Sequence, residues 1–121
     1  MTLLWVTLAG SAGAVCRFVL DGAIRARRAT EFPWATVIVN VSGSLLLGFL
    51  TGLVLFQHAP ADLTLVAGTG FCGGYTTFST ASVETVRLLQ RGSYRAATAN
   101  ALGTLVITVC AATIGLLLAR L

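Results

Sequence analysis

Polar side chains recur every four residues within two apolar stretches of the chain. Asn40 and Ser44 begin one such series, which continues through two glycines, and Asn100, Thr104 and Thr108 form another. Four-residue spacing places side chains on one face of an α-helix, so each series predicts a polar stripe. Amides and hydroxyls donate hydrogen bonds and could line a path for an anion. The same groups could instead join helices or bond to their own backbone.

A segment rich in glycine and hydroxyl side chains, residues 68–80, has the composition of a broken helix. It carries four Gly within seven residues, followed by a dense run of Thr and Ser. Gly costs about 1 kcal/mol relative to Ala inside a helix. Unwound backbone at membrane depth must be satisfied by protein or line a water-filled cavity, where freed carbonyls could bind an ion. Alternatively, the glycines allow close helix packing and the hydroxyls bond to the preceding turn.

Two pairs of opposite charge lie near the ends of apolar stretches. Arg17 and Asp21 are four residues apart, and Glu84 and Arg87 are three apart, so both pairs are predicted to form ion pairs along a helix. Such pairs are typical of the membrane interface, where long side chains reach the headgroups. The alternative is that Arg17 lines a vestibule that attracts anions.

The elements that must hold these groups are membrane helices. The chain has 121 residues, of which 56% are hydrophobic and 10% charged, whereas soluble domains carry about 25% charged residues. Charges and turn residues divide it into four predicted spans, residues 3–24, 33–56, 63–89 and 96–119, each long enough for a bilayer core of about 30 Å. We therefore predict one four-helix transmembrane unit over residues 1–121. No room remains for a soluble catalytic module, so an enzyme is not expected.

The basic residues predict an orientation. Most of the arginines lie in or beside the connections after the first and third spans. Under the positive-inside rule these connections face the cytoplasm, and both termini are then outside. Arginines at span ends also fit lipid headgroups better than nucleic acid. The cytoplasmic set is Arg25, Arg27, Arg28, Arg87, Arg91 and Arg95, against Arg120 on the other side.

Three segments together resemble one family. Residues 10–18 (GSAGAVCRF), 33–44 (PWATVIVNVSGS) and above all 70–80 (GFCGGYTTFST) are similar to the Fluc/CrcB family of small fluoride ion channels. The similarity extends over all four predicted spans. It implies an all-α membrane protein of four transmembrane helices, the third broken at the Gly/Thr-rich segment. It also implies an antiparallel dimer with two fluoride pores and a central, structural sodium ion.

The resemblance also implies roles for individual residues. The backbone carbonyls of Gly73 and Thr76 would bind the sodium ion (Na+) together with the same pair from the partner. Phe78 would present its ring edge to fluoride, and Asn40 would donate a hydrogen bond. The implied ion pathway is Asn40, Thr77, Phe78, Ser79, Asn100, Thr104 and Thr108, with Arg17 and Glu84 at the vestibule.

Two positions depart from the family pattern. Ala81 stands where a second Phe is usual, and Asn100 where Tyr is frequent, so one ring edge is missing. Together with the biased arginines, these departures favour a heterodimer with an oppositely oriented homologous subunit, in which one of the two pores can be degraded.

The resemblance thus implies a fluoride-selective passive channel in the bacterial inner membrane that exports cytoplasmic fluoride and lowers its toxicity. Its partners would be the fluoride ion, the lipid bilayer and a second subunit. One alternative is an accessory or non-conducting subunit of a heterodimer. Another is a small multidrug transporter, which would need a carboxylate within the membrane. The first span offers only Asp21, near its end and beside Arg17.

Overall fold

The computed structural model describes residues 1–27 and 32–121 of the chain, and this part is all-helical. Arg28, one of the basic residues used to predict the orientation, lies outside the described residues. We name the helices in chain order: α1 is Thr2–Arg27, α2 is Trp34–Phe56, α3 covers residues 61–75, α4 is Phe78–Gln90 and α5 is Tyr94–Leu118.

Three of these helices are long and apolar enough to cross a membrane, namely α1, α2 and α5. Large apolar side chains are exposed along them, as expected of surfaces that face lipid rather than water. The chain is thus a multi-pass membrane protein. The predicted span 63–89 is divided between α3 and α4, each shorter than the roughly 20 residues of a complete span.

The division lies at Thr76 and Thr77, which have extended backbone (φ −82°, ψ 159° and φ −147°, ψ 117°). The glycines before them stay helical, partly in a wider π-helical form over Thr64–Cys72. There the amide of Gly73 donates to the carbonyl of Gly68, five residues earlier. The extended residues are therefore the threonines at the end of the segment, not its glycines.

Close packing explains why the glycines remain helical. A Cβ added at Gly74 would overlap the carbonyl oxygen of Gly10, and one added at Gly13 would overlap that of Phe71. Helices α1 and α3 therefore approach each other with backbone against backbone, which is how small residues associate helices in membranes. These contacts offset the low helix propensity of Gly.

Helices α2 and α5 are joined in the same way. A Cβ at Gly48 would overlap the carbonyl oxygen of Ala112, and one at Gly115 would overlap that of Leu45. This contact uses the small-residue face predicted for the second span, which begins at Asn40. It fixes α5 beside α2, so that the polar stripes of both helices are held near the extended residues Thr76 and Thr77.

Candidate functional site

Asn40 is tied to the backbone between α3 and α4. Its Nδ2 donates to the carbonyl of Thr77 at 3.0 Å, and the amide of Thr77 donates to its Oδ1 at 2.8 Å. The side chain is nearly buried, with 9% of its surface exposed. Because an amide nitrogen carries two hydrogens, one N–H remains for another acceptor. Asn40 therefore both links α2 to the extended segment and retains one donor.

Thr77 starts helix α4. Its Oγ1 accepts a hydrogen bond from the amide of Thr80 at 3.1 Å, which is the geometry of an N-cap. The next residue, Phe78, is the first of α4, and 88% of its surface is exposed. The cap thus fixes where α4 begins, and with it the position of the exposed Phe78 side chain.

In the extended segment, two backbone amides no longer donate to the carbonyls that would accept from them in a continuous helix. The amide of Thr77 would donate to Gly73 and the amide of Thr80 to Thr76, four residues earlier in each case. Instead, these amides donate to Asn40 Oδ1 and to Thr77 Oγ1. The oxygens of Gly73 and Thr76 thereby lose their usual helical partners and could coordinate a hard cation.

A cavity of about 540 Å³ lies beside the extended segment, between α2, α4 and α5. The described residues that line it include no charged side chain, and its polar and aromatic groups are amides, hydroxyls and one aromatic ring. The amides and hydroxyls can donate hydrogen bonds to an anion, so the cavity can bind it without exposing it to a bare positive charge. The polar and aromatic lining residues are Asn40, Ser44, Thr76, Thr77, Phe78, Ser82, Thr85, Asn100, Thr104 and Thr108.

Most residues of the predicted ion pathway meet at this cavity. Asn40, Thr77, Phe78 and the series Asn100, Thr104 and Thr108 all line it. Ser79 is exposed and does not, and neither do Gly73, Arg17 or Glu84.

Sequence reasoning missed Ser82 and Thr85 as lining residues. Together with Phe78 they follow the i, i+4, i+7 spacing of one helical face, and this signal could have identified them. A single span over residues 63–89 conceals this face, because the helix that carries it begins anew at Phe78.

Asn100 is buried in the wall of the cavity, with 2% of its surface exposed. Its Nδ2 donates to Thr85 Oγ1 at 2.8 Å and lies 3.4 Å from the carbonyl oxygen of Ala81. Within residues 1–27 and 32–121, its Oδ1 has no hydrogen-bond partner, and neither has the hydroxyl of Thr104, one turn further along α5. Helix α5 is π-helical over Ala99–Gly103, a stretch that contains Asn100 and ends just before Thr104.

The predicted ion pairs are wrong. Arg25, rather than Arg17 or Arg87, pairs with both carboxylates: its Nε lies 2.9 Å from Asp21 and its Nη2 lies 2.9 Å from Glu84. Asp21 is four residues from Arg25 as well as from Arg17, so spacing alone could not choose between them.

The carboxylate of Glu84 has a second partner. The buried hydroxyl of Thr36 donates to it at 2.5 Å, so α2 also contacts this cluster. Arg17, by contrast, has a buried Nε without a partner in the described part of the chain.

Comparison with known proteins gives one consistent result. Residues 4–116 match the family described as CrcB-like protein, Camphor Resistance (CrcB). The chain is 47% identical over 121 residues to "Fluoride-specific ion channel FluC 1" of Leifsonia xyli subsp. xyli, covering 100% of this chain and 88% of that protein. It is 47% identical over 119 residues to "Fluoride-specific ion channel FluC 2" of Cutibacterium acnes, covering 98% and 97%. It is 49% identical over 116 residues to the protein of that name from Mycolicibacterium paratuberculosis, covering 96% and 92%.

These matches confirm the resemblance inferred from the three sequence segments, and they extend over nearly the whole chain. The chain belongs to the CrcB-like family.

Proposed function

We propose that this chain is a subunit of a fluoride-selective passive channel, and not an enzyme, that exports cytoplasmic fluoride and so lowers its toxicity. The observation that carries the proposal is the cavity between α2, α4 and α5, whose lining combines amides, hydroxyls and the Phe78 ring without a charged side chain. Relatives of the chain that are 47–49% identical are named fluoride-specific ion channels.

The chemistry of this lining suits fluoride. Fluoride is small and strongly hydrated, so a pore must replace its water with hydrogen-bond donors. A bare cation in a low dielectric would hold the ion too tightly for conduction. Amides, hydroxyls and the positive edge of an aromatic ring lie between these extremes. Export follows because HF enters the cell, dissociates in a less acidic cytoplasm, and leaves the anion to flow down its gradient.

Individual residues have distinct roles in this proposal. The exposed Phe78 offers its ring edge, and Asn40 offers the N–H that is not bonded to Thr77. Thr104 and Thr108 continue the path along α5, and Ser82 and Thr85 add hydroxyls that sequence reasoning did not include. Ser79 is exposed and does not line the cavity, so its part in the ion pathway stays a prediction.

The assembly we propose is an antiparallel dimer of four-span subunits. Helices α3 and α4 together make the third span, broken at Thr76 and Thr77. Two features support a partner on this side of the subunit. Phe78 is almost fully exposed, and a Cβ at Gly73 would meet nothing within 4 Å. A second subunit would cover both and close the cavity.

A sodium ion at the centre of this dimer is part of the proposal. Its proposed ligands are backbone oxygens, which suit a hard cation. The carbonyls of Gly73 and Thr76 fit, because the amides that would normally bond to them donate elsewhere. A sodium ion held there would supply positive potential near the path.

We further propose the inner membrane of a bacterium as the location, with both termini outside. The arginines in and beside the connections after the first and third spans support this orientation, because they outnumber those on the other side of the membrane. A single orientation requires an oppositely oriented homologous partner, so we propose a heterodimer. Arg17 and Glu84 would lie at the inner vestibule, with Glu84 held by Arg25 and Thr36 rather than free to approach an anion.

The test is fluoride efflux from liposomes that contain this chain, with sodium on both sides and chloride as the control ion. Fluoride-selective efflux by the chain alone would support the channel and contradict an obligatory partner. Efflux only after co-expression with an oppositely biased homologue would support the heterodimer. If neither preparation conducts, the proposed channel is wrong and an accessory subunit remains.

A further inference from the structure

Tyr75, the last residue of α3, is hydrogen bonded to α2 through its phenol. The phenol oxygen lies 2.9 Å from Ser42 Oγ, and the Ser42 hydroxyl in turn donates to the carbonyl of Val39 at 3.0 Å. A serine hydroxyl has a single hydrogen, so Tyr75 is the donor when both bonds are made. The phenol therefore donates to Ser42, which connects it to the backbone of α2.

The phenol hydroxyl is separable from the packing of the ring. Tyr75 is buried, and its ring stacks on that of Phe71 with the centroids 5.8 Å apart. A Cβ added at Gly43 would come within 3.1 Å of the same ring. A phenylalanine ring would fill this space equally well. What the hydroxyl adds at position 75 is therefore the bond to Ser42.

The peptide group between Thr76 and Thr77 has one end bound to α2. Its N–H, from Thr77, donates to Asn40 Oδ1 at 2.8 Å. The peptide bonds of the described residues are all trans, so the carbonyl of the same group points in the opposite direction. The oxygen of Thr76, one of the two proposed sodium ligands, therefore points away from Asn40. Its direction depends on how the whole peptide group is held.

The other end of this peptide group is held through Tyr75. The amide and the hydroxyl of Thr76 both donate to the carbonyl of Cys72, at 2.9 and 2.8 Å, and the methyl group of Thr76 lies against Gly43. The two hydrogen bonds stay within α3, and the methyl contact with α2 has no preferred direction. The bond from Tyr75 to Ser42 is the directional link to α2 at this end.

We propose that Tyr75 is a positioning residue for the sodium site, and that its bond to Ser42 holds the Thr76 carbonyl in the direction in which it can coordinate the ion. Asn40 fixes one end of the peptide group, and Ser42, two residues further along α2, fixes the other through Tyr75. Without the bond, the carbonyl would point in the coordinating direction for a smaller fraction of the time, and the apparent affinity for sodium would fall in proportion. This inference rests on the proposed function and adds to it two residues that do not line the cavity.

Tyr75→Phe, Ser42→Ala and the double variant test the pair. The probe is sodium chloride, titrated against N-methylglucamine chloride at constant ionic strength. The readout is the melting temperature of the chain in a mild detergent, since an ion that binds the folded state stabilises it. One hydrogen bond is worth a factor of about five in an equilibrium constant, so each single variant should raise the sodium midpoint about fivefold. The double variant should also raise it about fivefold, and not about 25-fold, because both substitutions remove the same bond.

The matched controls are Tyr94→Phe and Ser11→Ala. Tyr94 is exposed, and the hydroxyl of Ser11 donates within α1 to the carbonyl of Thr7. Both controls should leave the sodium midpoint unchanged. Ser42→Thr keeps the hydroxyl at an exposed position and should keep the midpoint near that of the wild type. The chain is titrated alone and co-expressed with the oppositely biased homologue, and the sodium dependence of fluoride efflux is measured on the same variants.

Three results would overturn the inference. The first is a sodium midpoint in Tyr75→Phe and Ser42→Ala equal to that of the controls, whatever their melting temperatures without sodium. The second is an additive shift in the double variant, which would show that the two residues act independently. The third is a stability and an efflux that ignore sodium in both preparations, which would contradict the sodium site as well but leave the channel. Shifted midpoints in a chain that never conducts fluoride would support the positioning role and contradict the proposed channel.

Discussion

Replacing Asn40 by Ala should loosen the start of α4 before it affects the rest of the chain. The substitution removes both hydrogen bonds between Asn40 and the backbone of Thr77, at 3.0 and 2.8 Å. The backbone amide and carbonyl of Thr77 then lack these partners. Each lost bond is worth about 1 kcal/mol, and each unsatisfied buried group costs about 1–3 kcal/mol. Water in the adjacent cavity can partly satisfy Thr77, so we expect a total loss of about 2–4 kcal/mol in the free energy of unfolding.

The measurement has two parts. The first is the free energy of unfolding in a mild detergent, compared with Thr51→Val, whose parent hydroxyl bonds only to the carbonyl of Leu47 in its own helix. The second is hydrogen exchange at the amides of Thr77 and Thr80, which should speed up in Asn40→Ala by about a hundredfold if 2–3 kcal/mol is lost locally. Exchange in the middle of α2 should change less.

Asn40→Asp separates the two bonds. A carboxylate can still accept from the Thr77 amide, but it cannot donate to the Thr77 carbonyl. Faster exchange at Thr77 in Asn40→Ala than in Asn40→Asp would agree with the structure. The reasoning is refuted if Asn40→Ala is no less stable than Thr51→Val and the amides of Thr77 and Thr80 keep their protection.

Three further substitutions test packing, charge and conduction. Gly115→Ala should lower the free energy of unfolding by about 1–3 kcal/mol, because the added methyl group overlaps the backbone of α2. Gly103→Ala should raise it by about 0.5–1 kcal/mol, because a Cβ there meets nothing within 4 Å. Equal free energies of unfolding for the two variants would contradict the close helix contact. Arg25→Ala should cost about 1 kcal/mol, because Glu84 loses its ion pair, and the loss should shrink in high salt; a loss that is independent of salt would argue against the ion pair. Thr108→Val should reduce fluoride flux severalfold with little change in stability, because its hydroxyl bonds only within α5; unchanged flux would remove Thr108 from the pathway.

Much of the fold follows from the sequence because apolar length and four-residue spacing are local properties. Asn100, Thr104 and Thr108 line one cavity. Helix geometry alone predicts that these three residues share one face of the helix. The position of the extended residues could not be predicted in this way. The helix propensity of Gly favours a break among the glycines, but their backbone contacts with α1 keep them helical, as Gly74 against Gly10 shows.

The ion pairs show the same limit in another form. Spacing along one helix identifies possible partners for Asp21, but it cannot show that Arg25, near the end of α1, reaches Glu84 in the middle of α4. The packing of the helices brings Glu84 to Arg25, and it also places the hydroxyl of Thr36 on the same carboxylate. The charged cluster is therefore a product of tertiary packing, and its correct pairs could only be read from the arrangement of three helices.

The double use of Asn40 limits what its substitution can prove about conduction. Because Asn40 holds the extended segment through Thr77, a loss of flux in Asn40→Ala would follow from a displaced Phe78 as readily as from a missing donor in the pathway. Ser82 is a better probe, since its hydroxyl donates to the carbonyl of Phe78 within α4, its one bond in the described part of the chain, and Ser82 still lines the cavity. If Ser82→Ala loses fluoride flux while hydrogen exchange at Thr77 stays normal, the Ser82 hydroxyl belongs to the ion pathway. Unchanged flux would mean that the pathway is lined by residues of α2 and α5 and not by Ser82.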